Sequence, residues 1–303
     1  LTELISGIIR KAQSGFFTVH TAQGDIVCHL RGRLKQARHK TDLAALGDHV
    51  TLSLQSDGKG MIEDIAPRQR SLSRRAPNPL LNTEQVLIAN LDQVVFVFAC
   101  AEPFPKRRML DRFIVIAEAA HLPALICANK TDLVTEAASR ETFELYRVLG
   151  YPVVYPSTLT GEGVETLRDQ LRGKLSALAG PSGVGKSSLL NAVQPGLGLK
   201  ANAISQATSK GRHTTVFPEL LPLTEGGFVA DTPGLKALAL WDIEPEELDG
   251  YFVEIKPLVA QCEFSDCTHL TEPGCAVRAA VERGEIHTSR YESYGRLRTG
   301  EKG

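Results

Sequence analysis

The sequence contains no run of the ~18–20 uninterrupted apolar residues that a membrane-spanning helix needs. Its first residues, LTELISGIIRKAQSG, lack a basic segment followed by a long apolar core, which predicts no signal peptide. Cysteine is scarce: six in 303 residues, three of them crowded into 262–275. That excludes a secreted disulfide scaffold. Internal repeats and long low-complexity tracts are also missing. With 43% hydrophobic and 23% charged residues, the composition is globular and excludes disorder throughout. What is present is length: at roughly 100–200 residues per domain, the chain predicts two domains or three.

The formal net charge of −1 hides an asymmetry. Residues 1–79 carry 12 Lys/Arg against 7 Asp/Glu, residues 80–241 carry 15 of each, and residues 242–303 carry 7 against 13. A basic head on a neutral middle fits a polyanionic partner, although an ordinary solvated surface gives the same count.

Residues 1–66 read as five short strands. Gly7–Arg10, Gly15–Val19, Ile26–Cys28, Gly47–Leu52 and Met61–Ile65 are separated by Gly24-Asp25 and Asp57-Gly58 turns. This predicts a small all-β barrel such as an OB-fold. Residues 67–79, PRQRSLSRRAPNP, read as a basic linker, because three prolines and four arginines oppose regular structure. Residues 80–241 read as a doubly wound α/β domain. VVFVFA (94–99) and ALICA (124–128) are short apolar runs of the kind buried on both faces of a parallel sheet, and residues 107–121 between them have helical spacing. Residues 242–303 form a third segment, and its charged tail past Arg283 predicts a loose end.

Gly180-Pro181-Ser182-Gly183-Val184-Gly185-Lys186-Ser187 matches G-x-x-x-x-G-K-[ST], between a strand-like run and the helix opening at Ser188. Glycines let successive N–H groups face a phosphate, and the following helix start adds a favourable dipole. Lys186 would reach the β- and γ-phosphates, and the Ser187 hydroxyl would ligate Mg²⁺.

Asn129-Lys130-Thr131-Asp132 follows the apolar run 124–128 and matches the NKxD guanine-reading motif. The Asp132 carboxylate can accept from two guanine donors, which adenine does not present on that edge. Ser157-Thr158 follows the next strand, and its backbone N–H groups are expected to face the base carbonyl. Asp231-Thr232-Pro233-Gly234 ends another apolar strand and matches DxxG: Asp231 would hold Mg²⁺ through water, and the Gly234 N–H would meet the γ-phosphate. Between them, Gly211-Arg212-His213-Thr214-Thr215 lies in a polar segment suited to a switch, in which Thr214 or Thr215 would complete the Mg²⁺ shell. A common GTPase runs phosphate loop, switch, DxxG, NKxD. Here NKxD comes first, so the same parts stand in circularly permuted order.

Cys262, Cys267, His269 and Cys275 place three thiols and one imidazole within 14 residues. Four N/S donors suit tetrahedral structural Zn²⁺ with no open position. Cys28, Cys100 and Cys127 lie in apolar runs and read as packing residues.

The order of barrel, NKTD, GPSGVGKSSLLN, GRHTT, DTPG and CEFSDCTHLTEPGCAV resembles the RsgA (YjeQ/YloQ) family of circularly permuted bacterial GTPases. The resemblance spans nearly the whole chain. It implies an OB-fold, a permuted P-loop GTPase domain and a mainly helical zinc-binding domain. It also implies GTP and GDP as ligands, hydrolysis stimulated by the small ribosomal subunit late in its maturation, and contact with that subunit's rRNA. A cytoplasmic monomer with no membrane partner is expected. The sequence departs from the usual GTPase pattern at Thr158, where Ala is common after Ser. It departs again at Leu235, where many GTPases carry a Gln that orients the attacking water. Leu cannot hydrogen-bond water, which leaves His213 as the candidate for that task beside Lys186; an RNA contact is the other reading of His213.

The RNA candidates are Arg31, Arg33 and Lys35 in the barrel, with Arg38 and Lys40, and Arg68, Arg70, Arg74 and Arg75 in the linker. Lys106, Arg107 and Arg108 form a further basic run. Two other function classes stay open on sequence alone. One is an RNA-binding module whose nucleotide only orders the structure. The other is an ATP-using P-loop enzyme in which NKTD is accidental.

Overall fold

The computed structural model describes residues 4–37, 44–75, 84–197, 199, 219–231 and 243–300. The N-terminal barrel is built from β1 (Leu4–Gln13), β2 (Phe16–Thr21), β3 (Gly24–Leu30), β4 (His49–Leu54) and β5 (Gly60–Ile65), with the short helix α1 (Gly32–Ala37) after β3. Its strands close in the order β1-β2-β3-β5-β4-β1, and only the β3–β5 pair is parallel. Alternation along these strands sends Ile9, Val19, Cys28, Leu52 and Ile62 into a dry interior, as the period of two requires.

The expected linker departs from its composition. Residues Ser71–Arg75 form a strand, β6, which pairs antiparallel with β7 (Glu84–Ala89). The reason is Leu72: it sits opposite Ile88, and both are buried in the main core. A single well-placed apolar residue holds a hairpin that the surrounding arginines and prolines oppose.

The α/β part follows as β8 (Gln93–Ala99), α2 (Arg107–Ala119), β9 (Ala124–Asn129), α3 (Glu136–Val148), β10 (Val153–Val154), α4 (Val164–Leu171), β11 (Leu175–Ala179), α5 (Lys186–Val193), β12 (Glu219–Pro222) and β13 (Phe228–Asp231). The strand order is β10-β9-β8-β11-β13-β12, parallel except for β12. Successive side chains of β8 face opposite layers. Phe96 and Phe98 pack with Phe113 of α2 and Phe143 of α3, while Val95 and Val97 pack with Leu167 of α4 and Leu189 of α5. Both faces are therefore covered, which is why β8, β9 and β11 are apolar and buried along their length. The edge strand β12 meets β1 through Lys11 and Glu219 and joins barrel and α/β sheet into one eleven-stranded array.

The C-terminal segment contains two 3₁₀ stretches, Pro245–Tyr251 and Lys256–Gln261, then α6 (Ala276–Glu282) and α7 (Thr288–Arg298). The tail expected to be loose is thus helical. Tyr294 of α7 is fully buried against Phe252 and Ile255, in a core that also takes in Val115 of α2. Arg290 of α7 is buried too. Its Nη1 donates to Asp111 Oδ1 of α2 at 2.6 Å, and its Nε donates to Glu254 Oε1 at 2.6 Å. Ser293 Oγ and Tyr146 Oη complete the Asp111 carboxylate at 2.5 and 2.8 Å. Burial disfavours the guanidinium charge, but Glu254 and Asp111 more than offset this and raise its pKa. Among the described residues, no helix is long and apolar enough to cross a membrane.

Candidate active site

The carboxyl ends of β8, β9 and β11 lie side by side, where ligands bind in open parallel sheets. The phosphate loop leaves β11 there and enters α5. Gly180 has φ +152°, and a Cβ on it would lie 2.0 Å from the Val97 carbonyl oxygen of the neighbouring strand. Gly185 has φ +92°, and a Cβ there would stand 2.5 Å from Asn129 Nδ2. Gly180 is therefore required by the close approach of the Val97 backbone, and Gly185 by its left-handed backbone beside the Asn129 side chain. Val184 is buried and anchors the loop in the α4/α5 layer, while Ser182 and Gly183 face solvent. Lys186 is nearly buried, and its ammonium donates to the carbonyls of Gly180 at 2.8 Å and Pro181 at 2.6 Å. Ser187 opens the same helix and is also buried; Ser188 is half-buried behind it.

The NKTD segment leaves β9 beside this loop. Asn129 is fully buried and donates from Nδ2 to the Val184 carbonyl at 2.8 Å, so the two motifs are fastened to each other directly. Asn129 Oδ1 and Thr131 Oγ1 are buried without a partner among the described residues, an uncommon state for polar groups. Lys130 adopts a left-handed backbone (φ 62°), and its ammonium donates to the Glu102 carbonyl. Asp132 is exposed, and its carboxylate accepts from Ser157 Oγ at 2.5 Å. Ser157 Oγ in turn accepts from the backbone N–H groups of Leu159 and Thr160, each at 3.2 Å.

The role of that side chain is not visible in the sequence. The motif predicts that Ser157 acts through its backbone, yet its N–H is engaged with the Glu162 carbonyl at 2.9 Å. Its hydroxyl instead aims Asp132, and the Thr158 N–H is without a partner among the described residues.

β13 runs beside β11 with Asp231 in register with Leu178, which brings Asp231 to the same sheet edge as the phosphate loop. His213, Thr214, Thr215 and Gly234 lie outside the described residues.

These loops belong to a recognisable whole. Family models described as RsgA GTPase and RsgA N-terminal domain match residues 65–241 and 6–62. The chain belongs to the RsgA family of GTPases. It is 49% identical to the small ribosomal subunit biogenesis GTPase RsgA of Gemmatimonas aurantiaca, over 98% of each chain. It is 42% identical to the protein of the same name from Moorella thermoacetica, over 96% of this chain and 95% of that one. Among solved structures, YjeQ from Thermotoga maritima superposes with a TM-score of 0.82 at 39% identity, over 98% of each chain. YloQ, described as a circularly permuted GTPase, superposes with a TM-score of 0.75 at 33% identity, over 98% of this chain and 95% of that one. The protein is accordingly a GTP hydrolase with an N-terminal barrel and a permuted GTPase domain.

The cysteine cluster stands behind the α/β domain in the C-terminal segment. Donor atoms of Cys262, Cys267, His269 and Cys275 all lie within 4.8 Å of one another. Cys262 and Cys275 Sγ are each 3.5 Å from His269 Nδ1 and 3.9 Å from each other. A tetrahedral Zn²⁺ with ordinary bond lengths has S···N edges of about 3.6 Å and S···S edges of about 3.8 Å. Cys262, His269 and Cys275 stand at those edges and Cys267 lies within 4.8 Å of all three, a donor set that fits the ion. His269 Nε2 faces Asp249 Oδ2 at 3.4 Å, the outer carboxylate that orients a ligating imidazole. Glu272 braces the loop: it accepts from Thr268 Oγ1 at 2.5 Å and from the N–H groups of Thr268, Leu270 and Thr271 at 2.9–3.1 Å. These bonds, that of the Thr268 hydroxyl first, hold its carboxyl below the usual range. Cys28 and Cys100, by contrast, are pushed up to about 11 by burial, as packing thiols are.

Several RNA candidates are already engaged. Arg31 and Arg33 flank Glu63, while Arg68 forks onto the buried Asp48 with two 2.7 Å hydrogen bonds. Arg70 is exposed. Arg74 and Arg75 lie on β6 and Lys35 on α1, but their side chains are outside the described ones, as are Arg38 and Lys40. A groove of about 590 Å³, lined in part by His20, His49, Thr51 and Phe228, lies where barrel meets β13, and none of its lining residues belongs to the nucleotide motifs.

Proposed function

We propose that the protein binds the small ribosomal subunit and hydrolyses GTP to GDP and phosphate during late subunit maturation, with turnover stimulated by the subunit. The observation that supports this most is the convergence of NKTD and the phosphate loop, fastened through Asn129 and Val184, in a chain whose relatives are named for small-subunit biogenesis. In this reading Asp132, aimed by Ser157, accepts from guanine, and the Thr158 N–H meets the base carbonyl. Gly180, Ser182, Gly183, Val184, Gly185 and Ser188 shape the cradle. Lys186 turns from its own loop carbonyls to the β- and γ-phosphates and offsets charge developing there. Ser187, Asp231 and Thr214 or Thr215 would hold Mg²⁺, which supplies Lewis-acid neutralisation of the phosphate oxygens. Gly234 meets the γ-phosphate and His213 positions the attacking water, the task Leu235 cannot perform.

Cys262, Cys267, His269 and Cys275 would hold one structural Zn²⁺. Arg31, Arg33, Lys35, Arg68, Arg70, Arg74 and Arg75 are the barrel and linker contacts to rRNA, with Arg31, Arg33 and Arg68 exchanging or sharing their carboxylates when phosphate arrives. The domain limits in this reading are 1–66, 67–79, 80–241 and 242–303, and the protein acts as a cytoplasmic monomer.

GTP and ATP hydrolysis, each measured with and without purified small subunits, test the proposal. GTP-selective turnover that rises with subunits is expected. Equal use of ATP would overturn the role of Asp132, and GTP binding without stimulated turnover would favour a module that nucleotide merely orders. His213→Ala with unchanged stimulated turnover would remove His213 from the mechanism.

A further inference from the structure

The basic run 106–108 has no part in the nucleotide chemistry, and its surroundings give it another task. Many arginines among the described residues are neutralised by carboxylates: Arg10 by Asp25, Arg31 by Glu63, Arg140 by Glu136, Arg172 by Glu225 and Arg283 by Glu285. Lys106, Arg108 and Arg112 break this pattern. All three are exposed, and none has a carboxylate partner among the described residues. Arg108 and Arg112 are four apart on α2, so they share the face opposite the buried Leu110, Phe113 and Ile114. Just before them, Phe104 is 81% exposed, a large apolar ring with almost nothing covering it.

The position of this patch matters as much as its charge. The segment that carries Phe104 leads from β8 into α2 and touches both nucleotide loops. The Cys100 N–H donates to the Asn129 carbonyl at 2.8 Å, and the Lys130 ammonium donates to the Glu102 carbonyl. Pro103 Cδ lies 3.8 Å from where a Cβ on Gly183 would stand. Phe104 therefore follows directly on a segment that lines the nucleotide site, with Lys106 two residues on and Arg108 and Arg112 continuing along α2.

We infer that Phe104, Lys106, Arg108 and Arg112 form an RNA-contact surface, in which the cations meet backbone phosphates and Phe104 stacks on an unpaired base. Unpaired arginines present planar forks that match phosphate oxygens, and an exposed aromatic beside them offers the stacking face that single-stranded RNA uses. An acidic protein would engage the cations but leave the ring unused. The inference rests on the proposed binding to the small subunit and adds where that subunit's RNA touches the GTPase domain. RNA held there would lie against the two loops that carry Lys130 and Gly183.

Equilibrium binding of purified small subunits, measured across a range of salt concentrations, tests this. The double variant Arg108→Glu/Arg112→Glu is expected to bind at least thirtyfold more weakly at low salt. Its slope of log affinity against log salt should flatten by about 0.7–0.9 for each phosphate that is no longer neutralised. Phe104→Ala should weaken binding about tenfold while leaving the slope intact. Arg108→Lys/Arg112→Lys should keep the parent's slope by keeping the charge and bind between the parent and the double glutamate variant, because the fork is lost. Melting temperature and GTP affinity without subunits should not change in any of them. Variants that match the parent in affinity and slope would overturn the surface alone, whereas a parent chain that binds no subunits at any salt would overturn the proposed function and the surface with it. A double variant that loses subunits yet binds protein-free small-subunit rRNA like the parent would assign the patch to a ribosomal protein and overturn the RNA contact.

Discussion

At the sheet edge, the nucleotide loops are shaped largely by backbone: glycines that allow close approach, a carbonyl held by Asn129, a serine that turns Asp132. At the cysteine cluster, four side chains meet within 4.8 Å and the surrounding loop is braced by Glu272. The first arrangement keeps its shape by bonding to itself. Lys186 rests on its own loop carbonyls, so ligand can come and go without leaving a bare buried charge. The second has no such substitute, because three thiols and an imidazole crowd together at distances suited to an ion between them. One site is built for exchange and the other for permanence.

Removing the metal ligands should break this comparison most severely. Cys267→Ala, or treatment with a strong chelator, is expected to unfold the segment around α6 and α7, since structural zinc contributes about 10–16 kcal/mol in small sites. Zinc content and the near-ultraviolet signal of Tyr291 and Tyr294 would report it, and a protein that loses its zinc yet keeps the tyrosine signal would show that the segment needs no ion. Lys186→Ala should leave the fold intact and lower GTP turnover by about 10²–10³, read from steady-state rates beside an unchanged melting curve. Asp132→Ala should weaken GTP by roughly tenfold to a hundredfold and leave ATP unaltered, measured by competition.

The smallest effect is one of pH. The Glu272 carboxyl is held below its unfolded value, so its stabilisation is complete above the ordinary carboxylate range. That stabilisation is lost as pH falls through the lowered value. Acid melts of the parent should therefore lose more stability below about pH 4 than those of Glu272→Gln.

The candidate nucleotide motifs can be read from the sequence because each is local: a phosphate loop is eight consecutive residues, and the cluster spans 14. The five barrel strands are legible for the same reason, through turns and alternation. What escapes depends on distant partners. Nothing near Arg290 in sequence explains a buried arginine; its partner Asp111 is 179 residues away. The strand at 71–75 is hidden by its arginines and rests on Leu72 finding Ile88. Ser157 reads as a backbone contact because its hydroxyl gains meaning only beside Asp132, 25 residues earlier.

The carboxylate of Asp111 has a consequence for dissecting the protein. It is wholly buried on α2, and two of its partners, Arg290 and Ser293, belong to the last helix. A chain cut after residue 242 would keep every nucleotide motif, but Asp111 would lose its counterion and Val115 of α2 would lose the apolar core it packs in. The catalytic portion is therefore not portable: it can be excised from the sequence but not from the charge balance or the shared core.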